Sequence, residues 1–358
     1  MAGATLSAIS AAISLILMNA PTAQYRTDVI GPALLPVRMG QGANCVAPIK
    51  ISGRTTAGAH AEGDDVDSGD FSTNVRKQST LNWGEYWALA SVTGKSAAVA
   101  ASGGYAGGGN LIMEELNDAL EELGSKLGAD FYAGDHTATP PELAGCALAI
   151  DGSDDDFGGV DTGVYTSWKA GEATVATASL TLDWIRSNLF RPVKNATGAN
   201  PEYVLVDGAT MDVLKSKFAA NVEAVTTIIV AGMKVDVIQD LGATGIRLDG
   251  VPFIEDRHCT ANTMYAFGRG AAHVEQLREP IDANASAAEI QEALLQLTGQ
   301  SIQLSEVERM IMAANQSPRL VVTVEALAKT GDSRKFMLTL KLQVAWKRRN
   351  ATAKATLT

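Results

Sequence analysis

The chain has 358 residues, of which 46% are hydrophobic and 19% charged, so it can bury a substantial core and wholesale disorder is excluded. Its 29 Lys and Arg residues stand against 40 Asp and Glu, and the formal net charge of −11 argues against nucleic-acid binding by the chain as a whole. Three cysteines, far apart and without CxxC spacing, predict neither a disulfide framework nor a structural zinc site.

The N-terminal 44 residues predict a short helix followed by an extended arm. The first charged residue is Arg26, but serines interrupt the preceding apolar run and no basic n-region precedes it, so neither a membrane span nor a signal peptide is indicated. Hydrophobic side chains recur there at helical spacing, at Leu6, Ile9, Ile13 and Ile16. We expect this face to lie against protein, with no membrane partner.

Residues 45–91 show a β pattern interrupted by a long acidic tip. Val46–Thr56 predicts one strand, and the alternation in Phe71–Val75 predicts a second. The tip between them carries Glu62, Asp64, Asp65, Asp67 and Asp70. An isolated two-stranded ribbon is marginal in water, so this hairpin must either move freely or lie on another surface. The segment Leu81–Ala90, rich in Trp and Tyr, predicts an apolar anchor behind it.

A glycine-rich break, Gly103–Gly109, precedes the strongest helix pattern in the chain. Leucines and a phenylalanine recur every three or four residues from Leu116 to Phe131, with acidic residues on the opposite face, which predicts a helix over Leu111–Tyr132. The break lacks the Lys–Ser/Thr of a phosphate-binding loop and reads as a hinge.

The remainder mixes short helices and strands without a βαβ rhythm, which predicts an α+β fold. The predicted helices are Leu180–Phe190, Thr210–Phe218 and Ala285–Ala314. The predicted strands are Tyr203–Val206, Met233–Ile238, Val251–Ile254, Leu320–Val324 and Phe336–Trp346.

Charge is unevenly distributed along the chain. The segment Pro318–Thr358 carries nine basic residues against two acidic ones, so this end is +7 and the remainder −18. We therefore regard both charge clusters as candidate inter-subunit residues, because complementary charges steer copies of a chain together. The alternative is that both are solvated surface charge. The basic candidates are Arg334, Lys335, Lys347, Arg348 and Arg349.

Motifs for catalysis or cofactor binding are missing from the sequence. The four histidines lie in separate segments, and HExxH, GxSxG and GxGxxG do not occur. Cys259 follows His258, but a nucleophile–base pair is built across a fold and not between adjacent residues. The acidic stretch Asp151–Asp161 falls out of register with a calcium-binding loop, so a solvated loop is the preferred interpretation. We expect no enzyme activity, cofactor or metal. The alternative among enzymes is a soluble hydrolase that uses the carboxylates of Asp151–Asp161.

The order of segments resembles one known family. After the arm, hairpin, hinge and long helix come Phe131–His136, Pro201–Gly208, Leu248–Asp256 and the long terminal stretch Leu338–Leu357. In this order they resemble the HK97-type major capsid proteins of tailed bacteriophages, from about Cys45 to the end of the chain.

The resemblance implies a division of the chain and a function. It implies an N-terminal arm (1–44), an E-loop hairpin (45–91), a P-domain with its spine helix (92–133), an A-domain (134–270), and P-domain return strands (271–358) with a helical insertion (281–318). It implies self-assembly through hexamers and pentamers into an icosahedral shell enclosing double-stranded DNA, which the acidic chain would contact weakly. Portal, scaffolding and cement proteins are the other partners implied, and the location implied is the virion, after assembly in the host cytoplasm. An encapsulin-like compartment enclosing a cargo protein is the nearest alternative.

Overall fold

The computed structural model describes residues 29–51, 76–93, 111–153, 155–225, 227–230, 233–236, 245–277, 286–298, 302–315, 320–330 and 333–358. The helical face from Leu6 to Ile16, the acidic tip from Glu62 to Asp70 and the predicted strand Phe71–Val75 lie outside these ranges.

The described elements are numbered in chain order. The α-helices are α1 (Ile30–Leu34), α2 (Leu111–Ala133), α3 (Cys146–Ala149), α4 (Leu182–Ile185), α5 (Arg191–Thr197), α6 (Gly208–Lys217), α7 (Ala287–Thr298) and α8 (Leu304–Asn315). The strands are β1 (Val37–Met39), β2 (Cys45–Lys50), β3 (Arg76–Leu81), β4 (Gly84–Thr93), β5 (Asp156–Phe157), β6 (Val160–Asp161), β7 (Gly171–Val175), β8 (Tyr203–Val206), β9 (Val222–Ala224), β10 (Thr227–Val230), β11 (Met233–Asp236), β12 (Gly245–Leu248), β13 (Val251–Glu255), β14 (Thr263–Phe267), β15 (Ala272–Leu277), β16 (Thr323–Thr330), β17 (Ser333–Trp346) and β18 (Thr352–Leu357).

A five-stranded sheet is organised around the 14-residue strand β17. Strand β4 runs antiparallel along one side of it, from Ser333 opposite Thr93 to Leu342 opposite Gly84. Strands β16 and β15 pair antiparallel with successive parts of its other side, and β1 joins β15 in parallel. The predicted strand Phe336–Trp346 is thus confirmed and begins three residues earlier.

Helix α2 packs on one face of this sheet and confirms the predicted helix Leu111–Tyr132. Its leucine stripe and Phe131 are fully buried, as the spacing indicated. On the sheet side the buried residues alternate along the strands, as expected for a face packed on a helix. These are Tyr86, Ala88 and Ala90 of β4 and Phe336, Leu338 and Leu340 of β17.

A seven-stranded sheet forms the second layer, in the order β7-β18-β14-β8-β13-β12-β9. It packs with α4, α5 and α6 around a separate hydrophobic cluster that includes Leu189, Val193 and Met211. The C-terminal strand β18 pairs with β14 and β7, so it belongs to this sheet. Assigning all of 271–358 to the other domain was therefore wrong for the last strand.

Residues 29–35 of the N-terminal arm belong to the core. Val29, Ile30, Leu34 and Leu35 are buried, and a Cβ added at Gly31 would overlap the ring of Phe131. The backbone N–H of Gly31 donates to Asp256 at 3.2 Å. The prediction of an extended arm was therefore wrong for residues 29–35, whereas Val37–Met39 are extended in β1.

Two further predictions need correction. The helix predicted over Ala285–Ala314 is two helices, α7 and α8, which contact each other, and the Gln291 amide donates to the Ile302 carbonyl at 2.6 Å. The helix predicted over Leu180–Phe190 continues through a π-helical turn, Arg186–Phe190, into α5.

Candidate inter-subunit surface

The base of the predicted E-loop hairpin is an antiparallel pair, which we call the stem: β2 and β3. Its register runs from Cys45 opposite Leu81 to Lys50 opposite Arg76. One face of the stem is buried against the body of the chain, with Cys45, Ala47, Ile49 and Leu81 in the core. The strand predicted over Val46–Thr56 is described only as far as Lys50. The stem is therefore packed on its own subunit along β2 and at the C-terminal end of β3.

The face of the five-stranded sheet opposite α2 carries large apolar side chains in an exposed position. Trp87 is 65% exposed and Leu89 56% exposed, whereas their neighbour Tyr86 is buried. Register places Leu89 beside Met337, and Trp87 beside Thr339. The predicted apolar anchor Leu81–Ala90 was therefore wrong for half of its side chains, because a strand turns alternate residues to opposite faces.

The predicted basic end of the chain is divided by β17 into two sites. Arg334 and Lys335 lie near the beginning of the strand, beside Val92 and Ser91 of β4. Lys347 and Arg348 follow its last residue. At about 3.3 Å per residue the strand separates Lys335 from Lys347 by roughly 40 Å. The candidate basic residues therefore lie at two separate sites, and which of them contact a neighbouring copy stays a prediction.

Arg349 is not a surface residue. Its side chain is 0% exposed. Its Nε donates to the Ala149 carbonyl at 2.6 Å, and its guanidinium lies 3.4 Å from the Asp155 carboxylate. Burial lowers the pKa of Arg349, while Asp155 opposes that shift. This residue is therefore corrected from a candidate inter-subunit contact to an intrachain ion pair.

A polar network joins β4, α2 and the loop after α2. The Tyr86 hydroxyl donates to Asp130 Oδ2 at 3.0 Å and accepts from the Leu143 N–H at 2.9 Å. Lys126 Nζ lies 2.8 Å from both Asp130 and Glu142. Burial raises the pKa of Asp130, and the hydrogen bonds from Lys126 and Tyr86 oppose that shift. This network fixes the spine helix to the sheet that carries the exposed Trp87.

A second buried carboxylate, Asp256, connects the N-terminal segment to the second sheet. It accepts from the Tyr132 hydroxyl at 2.7 Å and from the backbone N–H of His258 at 3.0 Å, in addition to Gly31. Burial raises the pKa of Asp256, against the effect of these donors. Polar groups that bridge the layers are thus hydrogen-bonded, as buried polar groups must be.

The residues considered for catalysis have local structural contacts. Asp151 closes a turn on Ser153, Asp161 accepts from the Gly163 N–H at 2.7 Å, and Asp155 faces Arg349. Burial raises the pKa of the Cys259 thiol, which faces the Thr263 carbonyl at 3.7 Å.

The described residues contain neither a cluster of metal ligands nor a membrane-crossing helix. Among those residues, no group of three or more His, Cys, Asp and Glu side chains is placed to hold a metal ion. No helix within the ranges given above combines the length and apolar character of a membrane-crossing segment.

Comparison with solved protein structures identifies the fold of the chain. No family model matches the sequence, and the search of curated proteins gave no match. Among solved structures, the chain is similar to the capsid asymmetric unit of cyanophage A-1(L), with a TM-score of 0.63, 15% identity and 92% of each chain covered. It is also similar to the capsid of a native GTA particle, with a TM-score of 0.54, 10% identity and coverage of 93% of this chain and 90% of that one.

A third similar structure is the holo-SrpI encapsulin complex from Synechococcus elongatus, with a TM-score of 0.50, 10% identity and coverage of 90% of this chain and 85% of that one. Together these likenesses show that the chain has the HK97-type shell fold, an α+β architecture, as the order of its segments indicated.

Proposed function

We propose that this protein is the major capsid protein of a tailed bacteriophage, a structural subunit that assembles through hexamers and pentamers into an icosahedral shell around double-stranded DNA. The observation that carries the proposal is the likeness to the cyanophage capsid subunit, which extends over 92% of both chains.

The design of the chain supports self-association. Large apolar side chains, Trp87 and Leu89, lie on an uncovered sheet face among the described residues, and exposed apolar patches commonly mark interaction sites. The stem is held by its own subunit, but the acidic segment beyond it has too little apolar content for a core of its own. Contacts between copies supply such segments with partners, so their stability depends on assembly.

We propose that opposite charges on neighbouring copies set how the copies align with each other. The acidic tip residues 62–70 carry five carboxylates, and the candidate basic residues other than Arg349 fall into the pair Arg334–Lys335 and the pair Lys347–Arg348. We assign the tip of one copy to one of these two pairs on a neighbouring copy. Exposed ion pairs contribute about 0–1 kcal/mol each, so their role is orientation and steering more than affinity.

The acidic balance also supports weak contact with packaged DNA. Tight binding to duplex requires neutralisation of several phosphates by Lys and Arg, and a chain of net charge −11 is unsuited to that. The other proposed partners are portal, scaffolding and cement proteins, with assembly in the host cytoplasm.

The proposal is tested by the mass and content of particles formed by the full chain. Size-exclusion chromatography with light scattering should give megadalton particles instead of 37.4 kDa monomers. Nuclease-protected DNA in particles from infected or co-expressing cells supports the phage shell, whereas a co-purifying enclosed protein without DNA would support the encapsulin alternative. Monomers under all salt conditions would contradict both and favour the hydrolase alternative.

A further inference from the structure

The stem rests on a loop of its own subunit, residues 155–168, which we call the cradle loop. The backbone N–H of Thr80 in β3 donates to the Gly158 carbonyl at 2.9 Å. Directly after the other strand, the Ser167 hydroxyl donates to the Ile51 carbonyl at 2.7 Å. The ammonium of Lys77 lies 5.5 Å from the centre of the Tyr165 ring. Both strands of the stem are therefore held by one loop, close to the points from which residues 52–75 depart.

The cradle loop is in turn fixed by Arg349. The Arg349 guanidinium lies 4.7 Å from the centre of the Phe157 ring and 5.2 Å from that of Trp168, at the two ends of the loop. It also faces Asp155, and Nε reaches the Ala149 carbonyl just before the loop. A planar cation is suited to this position, because it can contact aromatic faces and a carboxylate together.

We propose that Arg349 and the cradle loop set the orientation of the stem, and that this preset orientation is required for shell assembly. The assembly half of this inference rests on the proposed function; the orientation half does not. The physical reason is preorganisation: an element held in its binding direction before association loses less conformational freedom when it binds. Arg349 is a positioning residue here, since it reaches the stem only through the loop.

Two adjacent glycines provide a matched test that leaves Arg349 in place. Gly158 has φ +59° and a Cβ there would overlap the buried Ser79 hydroxyl, with the Thr80 nitrogen at 3.2 Å. Gly159 has φ +80°, and a Cβ there would meet no atom within 4 Å. Both substitutions to Ala place a side chain in the left-handed region, so they share the backbone strain. Only Gly158→Ala also pushes the stem away from the loop.

The readout is hydrogen–deuterium exchange of the full chain, at the Thr80 amide and at the amides of α2. We expect Gly158→Ala to accelerate exchange at Thr80 by about tenfold relative to Gly159→Ala, with α2 unchanged, because local opening exposes only the stem. Arg349→Met should accelerate the same amide, whereas Arg269→Met, which removes an equal charge from an exposed position, should not. Unchanged exchange at Thr80 in both test variants, or equal acceleration in α2, would overturn the orientation half.

The assembly half is tested on the same four variants by particle yield in electron micrographs. Gly158→Ala and Arg349→Met should give fewer closed particles than their controls. Normal yield from variants with a loosened stem would overturn this half. Failure of the wild-type chain to form particles would instead refute the proposed function, while the exchange comparison would still decide whether Arg349 orients the stem.

Discussion

Removing one hydroxyl at Tyr86 tests how the spine helix is fixed to the sheet. In Tyr86→Phe, Asp130 loses a donor at 3.0 Å and the buried Leu143 N–H loses its acceptor at 2.9 Å. An unsatisfied buried donor costs about 1–3 kcal/mol, and a hydrogen bond to a charged group contributes about 1.5–3 kcal/mol. Because Lys126 still contacts Asp130, we expect a total loss of about 2–4 kcal/mol in the free energy of unfolding.

The loss should depend on pH in a defined direction. Burial raises the pKa of Asp130 in the folded chain, so the contribution of this carboxyl to stability is complete below its unfolded pKa and is lost as pH rises through the folded pKa. The Tyr86 hydroxyl opposes that rise in pKa, so its removal raises the pKa of Asp130 further. The variant should therefore be most destabilised at neutral pH, where Asp130 must ionise, and less so at acid pH where the carboxyl is protonated.

Urea unfolding of dissociated full-length subunits, followed by tryptophan fluorescence at pH 7.5 and at acid pH, measures both effects. Tyr165→Phe is the control, since that ring is partly exposed and its substitution should change stability by no more than about 0.5 kcal/mol. A Tyr86→Phe loss as small as the control, or equal losses at the two pH values, would refute the reasoning.

Four further outcomes are expected. Leu127→Ala, at a fully buried position of α2, should lower the free energy of unfolding by about 2–5 kcal/mol in the same urea assay. Trp87→Ser, at a position 65% exposed, should change it by no more than about 0.5 kcal/mol; a loss like that of Leu127→Ala would mean that the sheet face is covered within the subunit. Deleting residues 1–19 should leave soluble folded subunits but reduce particle yield by microscopy, and insoluble subunits would indicate an intrachain core role. Neutralising the acidic tip with Asp64→Asn, Asp65→Asn and Asp67→Asn together should slow assembly, followed by light scattering, more at low salt than at high salt. Unchanged assembly at low salt would exclude the charge contact.

Elements with strong periodicity could be predicted from the sequence. The leucine stripe of α2 predicted that helix and its buried face, because all residues of the stripe are in the core. Alternation likewise predicted β17, whose two faces differ in environment. Strand β14 escaped prediction because all five of its residues are buried and no alternation marks it. Strand β18 also escaped prediction, because it is rich in Ala and Thr and pairs with strands that lie far away in the chain.

The candidate site was predicted less completely, for a physical reason. The charge run Lys347–Arg349 suggests three exposed cations, yet Arg349 is buried by Asp155, Phe157 and Trp168, which lie almost 200 residues earlier. A single sequence contains no signal for such a long-range partner. The exposure of Trp87 and Leu89, by contrast, could have been inferred from strict alternation along β4, had the segment been recognised as one strand.

Cryo-electron microscopy of particles purified after expression of the full chain tests the central claim most directly. We expect closed icosahedral shells whose reconstruction contains pentamers and hexamers of this subunit. The sheet of β17 and the helix α2 should be recognisable in each copy. Subunits that remain monomeric in every salt and concentration tested would contradict the assignment of this chain as a shell protein.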